Sequence, residues 1–98
     1  MLSQLHLQAT MMSQYVEARY ALLTLQEARE TSEGRATKLL NNLLQDLRPT
    51  QQDDPHRADA IASIQHLAVI LRQHRMPPSS YWEAAFEATH AWRDHAEQ

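Results

Sequence analysis

Three features of this sequence predict an all-α fold, a small antiparallel bundle of three or four helices with a long N-terminal helix. Glycine occurs once and proline four times in 98 residues, all placed between or at the ends of helical patterns. Apolar residues recur at spacings of three and four, and no segment alternates with the period of two expected of a half-buried strand. Residues suited to helix caps stand where those patterns begin.

The first pattern covers residues 3–30 without glycine or proline. One apolar row holds Leu5, Ala9, Met12, Val16, Tyr20 and Leu23; a second holds Met11, Tyr15, Ala18, Leu22 and Leu25. At about 100° per residue the rows flank a thin line of Gln8, Arg19 and Gln26. Two apolar rows require two neighbours, and at about 1.5 Å per residue the helix would run roughly 42 Å. No later helix in the chain could cover that length, so part of its surface is expected to meet another subunit. The second row, as Met11, Tyr15, Leu22 and Leu25 with Arg19 beside it, is the expected interaction surface. Arg19, lying between the rows, is expected to be buried, and a buried guanidinium needs an acceptor.

Ser3 is placed to cap this helix. A break is expected at Glu30-Thr31-Ser32-Glu33-Gly34, where capping residues precede the sole glycine; one helix continuing to Leu47 is the alternative, since an isolated glycine costs only about 1 kcal/mol in a helix interior. From 35 to 47, Leu39, Leu40, Leu43, Leu44 and Leu47 share one arc opposite Lys38, Asn41, Asn42, Gln45 and Asp46. Arg48-Pro49 ends this amphipathic helix, because the residue before proline is pushed out of the helical region. A polar loop, the expected mobile segment, covers residues 50–54.

Asp54-Pro55 starts the next helix, with Asp as the cap and Pro at the first helical position. Its buried side carries Ala60, Ile61, Ile64, Leu67, Ala68 and Leu71, widened by Ile70, and Met76-Pro77-Pro78 stops it. Arg72, His74 and Arg75 are expected in its last turn, where positive charge complements the carbonyl end. Ser80 and Glu83 match a capping box. The final helix should bury Trp82, Ala85, Phe86, Thr89, Trp92 and Ala96.

Composition excludes several functions. A net charge of −3 and a pI near 6.0, with nine basic residues scattered along the chain, leave no footprint for a phosphate backbone. Full protonation of the six histidines would reverse the sign of the net charge, yet solvated histidines without a switching role are the expectation. With no cysteine there is no disulfide scaffold, thiol chemistry or cysteine metal site. The longest apolar run, residues 67–71, is far too short to span a bilayer, and the N-terminus lacks the features of a secretory signal. A cytoplasmic protein without membrane or nucleic-acid partners follows as the expectation. Phosphate loops, zinc-protease motifs and nucleophile elbows are missing from the sequence.

Glu83, Glu87, His90 and Asp94 align on one face of the last helix, and Glu87-x-x-His90 has the spacing used in di-iron bundles. Such bundles need a second motif and two more glutamates. His56, His66, His74 and His95 sit at unrelated phases, so Glu87, His90 and Asp94 are expected to form a solvated face with no metal and no cofactor. The succession of a long helix, a shorter one opening Asp54-Pro55-His56-Arg57, a tight turn and a last helix ending at Gln98 resembles the small all-helical chorismate mutases. That resemblance implies Arg19, Lys38, Arg57 and Gln98 as counterparts of the cations and amide that hold a dicarboxylate. Their spacing departs from the family's, and Ala58 stands where an acidic residue would follow Arg57. The sequence is therefore read as a single-domain, non-catalytic protein-protein interaction module, an adaptor, chaperone or inhibitor that forms a homo-oligomer and binds another protein. The alternative is a small helical enzyme or metal-binding bundle.

Overall fold

Four helices account for nearly all of the described backbone: α1 (Leu2–Arg29), α2 (Glu33–Asp46), α3 (Pro55–Arg72) and α4 (Ser79–Glu97). The structure, a computed structural model, describes the backbone of residues 2–48 and 54–97 and the side chains of residues 14–48 and 54–97. No strand occurs among the described residues. The expected loop at 50–54 lies outside them except for Asp54.

Local chemistry explains most of the boundaries. Ser32, extended at φ −68° and ψ 157°, caps α2, and Arg35 N–H donates to its Oγ at 3.4 Å. The chain therefore breaks between α1 and α2, and a continuous helix through to Leu47 is ruled out. Gly34 has no part in the break: it lies inside the first turn of α2 without a positive φ, and a Cβ there would meet nothing within 4 Å. Asp54 and Pro55 start α3 as expected, with His56 N–H donating to Asp54 Oδ1 at 2.7 Å.

Three expected ends move. Ser3 falls inside α1 instead of capping it, because the helix is already formed at Leu2. The third helix stops at Arg72 rather than at the prolines: Gln73 N–H donates to the Ile70 carbonyl at 3.1 Å, and His74 adopts the left-handed region at φ 60°. Arg75 and His74 thus lie beyond the helix. Ser79 begins α4, and the Pro78 carbonyl accepts from Tyr81 N–H at 3.0 Å, which leaves Ser80 within the first turn and not at the cap of a Ser80/Glu83 box.

Each helix packs against its sequence neighbours, and α4 closes the ring onto α1. Side-chain contacts give the directions. At one end Glu27 of α1 pairs with Arg35 of α2, Glu33 lies 3.5 Å from His74 Nδ1, and the Arg29 guanidinium sits 5.8 Å from the Phe86 ring. At the other end Glu17 meets Arg57, Arg57 reaches the Arg48 carbonyl, and His95 meets Asp54. Consecutive helices are antiparallel, as expected. Glu17 already stands level with the end of α2, so the turns of α1 before it carry on past that end; the long dimension of 50 Å, against 23 and 20 Å across, follows.

Small residues make the core face of α1. Ala18, Ala21 and Ala28 with Leu25 meet Leu40, Leu43 and Leu47 of the second hairpin arm, Ile61, Ile64, Leu67 and Leu71 of α3, and Trp82 and Trp92 of α4. Alanines let the neighbouring backbones approach, and the tryptophans fill the space that remains. Two buried hydroxyls are satisfied locally, Thr24 Oγ1 donating to the Tyr20 carbonyl at 2.9 Å and Thr89 Oγ1 to the Ala85 carbonyl at 2.7 Å.

Candidate functional site

The face of α1 opposite the core is apolar and open. Val16, Tyr20 and Leu23 are 61%, 47% and 64% exposed. Their spacing puts them within one narrow stripe, roughly 150° around the helix from the stripe of Ala18, Ala21, Leu25 and Ala28. All three stand outside the buried core cluster. Along the sequence the stripe continues in phase through Met12, Ala9 and Leu5, whose side chains lie outside the described residues.

The residues of the expected interaction surface differ in exposure. Leu25 is fully buried in the monomer core and cannot meet a partner; Tyr15 and Leu22 are half-buried beside it. The Met11 side chain lies outside the described residues. Arg19 is exposed rather than buried, its guanidinium 5.9 Å from the Tyr15 ring, an arrangement worth about 0.5–1 kcal/mol at the surface. The helix is rotated relative to expectation because alanines, which weigh little in an apolar pattern, occupy its most crowded side.

The buried guanidinium belongs instead to Arg57, which is 7% exposed. Its Nη2 donates to Glu17 Oε2 at 3.3 Å, its Nη1 to the Arg48 carbonyl at 3.2 Å, and its Cζ lies 5.8 Å from the Trp92 ring. This cation ties α1, the end of α2 and α4 to the first turn of α3. Such a network is structural chemistry: with Arg57 engaged by Glu17, and with Arg19 and Lys38 exposed, the resemblance to chorismate mutases gains no dicarboxylate site, and Gln98 lies outside the described residues.

Glu87, His90 and Asp94 are exposed along α4, with Asp94 accepting from Arg93 Nη2 at 3.1 Å. Among the described residues, the potential metal ligands that converge are others: Asp54, His56 and His95, whose ligand atoms all lie within 4.8 Å of one another. The expectation of unrelated phases fails for His56 and His95. They stand equally far from the α3–α4 link, each sixteen residues from its helix end at Arg72 or Ser79. An antiparallel hairpin places such positions side by side, which is the sequence signal that could have found them.

A second open apolar patch lies at the α3–α4 turn, where Val69, Met76 and Tyr81 are each nearly half exposed along a groove that also includes His66 and Pro78. In comparison with known proteins, no family model, no curated protein and no solved structure matches this chain.

Proposed function

We propose that the protein is a non-catalytic interaction module, an adaptor or regulator acting through helical surfaces, and that the open stripe of α1 pairs with the same stripe of a second copy. The observation that carries this reading is the exposure of Val16, Tyr20 and Leu23 on the face of α1 turned away from an otherwise complete core. Leaving three large apolar side chains in water forgoes the stabilisation that their burial would bring, about 25 cal/mol for each Å² covered.

A second copy is favoured over an unrelated partner by length and symmetry. A two-fold interface sets one patch against itself, and a straight apolar stripe on a long helix is self-complementary in that arrangement. Three residues cannot supply the roughly 800 Å² per partner of a standard interface. Along the sequence, Met12, Ala9 and Leu5 recur in the same helical phase and would lengthen the stripe.

The test is a pair of charged variants, Val16→Glu and Leu23→Glu. Both positions are exposed, so each variant should melt within about 0.5 kcal/mol of the parent monomer's stability. In gel filtration they should elute as monomers where the parent elutes as a dimer. A dimer that survives both substitutions but dissociates in Met76→Glu would move the interface to the α3–α4 groove and overturn the α1 reading.

A further inference from the structure

We propose that Asp54, His56 and His95 form a binding site for a single divalent transition-metal ion, with Zn²⁺ as the occupant. The three come from two elements. Asp54 is the N-cap of α3, His56 lies in its first turn, and His95 stands in the last turn of α4. The antiparallel register of α3 and α4 brings them together at the end of the bundle that Arg57 also ties.

Their geometry suits zinc. Two imidazole nitrogens and one carboxylate oxygen are ordinary zinc ligands, leaving the fourth tetrahedral position to water. The ligand atoms lie within 4.8 Å of one another, with His95 Nε2 2.8 Å from Asp54 Oδ2. A tetrahedral set with bonds of about 2.0–2.2 Å has ligand atoms roughly 3.3 Å apart. Reaching that spacing requires the His95–Asp54 pair to open from 2.8 Å and the wider separations to close, by rotation of exposed imidazoles whose ring centroids are 4.6 Å apart at 41°.

One further feature favours a cation. Asp54 Oδ1 is held by the His56 backbone N–H at 2.7 Å, which fixes the carboxylate and leaves Oδ2 directed at His95. That is the role of an orienting partner around a metal ligand. The helix dipoles give no net help, since the C-terminal end of α4 beside His95 favours a cation and the N-terminal end of α3 at Asp54 and His56 opposes one. Within this cluster, Asp54 supplies the anionic ligand, and the two imidazoles bind in their neutral form.

Metal binding here would fasten α3 to α4, so occupancy and stability are linked: an ion that binds the folded chain alone raises its melting temperature. The experiment uses untagged full-length protein freed of metal by a chelator, titrated with zinc chloride in a calorimeter and melted with and without zinc. Binding near one equivalent per chain and a higher melting temperature in zinc are expected. Cobalt chloride should give the visible absorption of a four-coordinate site. His56→Ala and His95→Ala, both at exposed positions, should weaken zinc binding by about tenfold or more, while His66→Ala and His90→Ala should leave it unchanged. Asp54→Asn, which keeps a capping side chain but removes the charge, should weaken binding without loss of helix content by circular dichroism. Absence of binding at millimolar zinc overturns the proposal, as does binding that is the same in His56→Ala and His95→Ala as in the parent.

Discussion

Trp92 concentrates the energetic questions at the scale of single residues. It is fully buried, faces the Arg57 guanidinium, and its indole Nε1 has no hydrogen-bond partner among the described residues. Removing the ring should cost roughly 3–5 kcal/mol, so Trp92→Ala should unfold or aggregate. Trp92→Phe also loses volume, but it deletes a buried unsatisfied donor that costs about 1–3 kcal/mol, and it should stay within about 1 kcal/mol of the parent. Urea denaturation of both variants checks this; equal losses would mean that the indole N–H is satisfied. Arg57 and Glu17 give a second ordered pair. Taking away the buried cation leaves Glu17 and the Arg48 carbonyl facing apolar surface, so Arg57→Met should cost about 2–3 kcal/mol, below the usual range for a fully buried pair because the Glu17 side chain is 28% exposed. Glu17→Gln should cost about 1 kcal/mol or less, since Arg57 keeps the Arg48 carbonyl and the Trp92 ring. The reverse order in chemical denaturation would contradict the network as described. Arg19 was the more conspicuous arginine in the sequence because two apolar rows flank it. Burial of Arg57 depends on how three other elements pack around it, and no local pattern carries that information.

At the scale of the helices, starts were legible wherever a cap acts on its own first turn. Asp54-Pro55 and the Ser32 break are of this kind: each is settled by a side chain and a backbone N–H within three residues. Ends were less legible. His74 terminates α3 by entering the left-handed region, a conformation that its residue type tolerates but does not announce. The glycine was misleading in its turn. Because Gly34 is helical and open to solvent, Gly34→Ala should stabilise the protein by up to about 1 kcal/mol in thermal melts. A destabilised Gly34→Ala would show that the position needs a conformation closed to alanine. Only packing reveals the face that α1 turns inward, since Ala18, Ala21 and Ala28 give a faint apolar signal while Val16, Tyr20 and Leu23 give a strong one on the outside. For the same reason the Asp54, His56 and His95 cluster was hidden: the residues lie on two helices, and their meeting follows from the hairpin register of α3 and α4.

For the whole molecule, an up-and-down ring of four helices buries a continuous core and still leaves its longest helix half dressed. The proposed self-association through α1 would account for that imbalance, and it makes mass the decisive observable. Light scattering coupled to gel filtration, run on the untagged chain at about 100 μM and again after serial dilution, reads the assembly directly. A dimer paired through α1 should show twice the 11.3 kDa chain mass at the higher concentration, falling toward the chain mass on dilution and already at the chain mass in Leu23→Glu. A parent protein that holds 11.3 kDa throughout would contradict it.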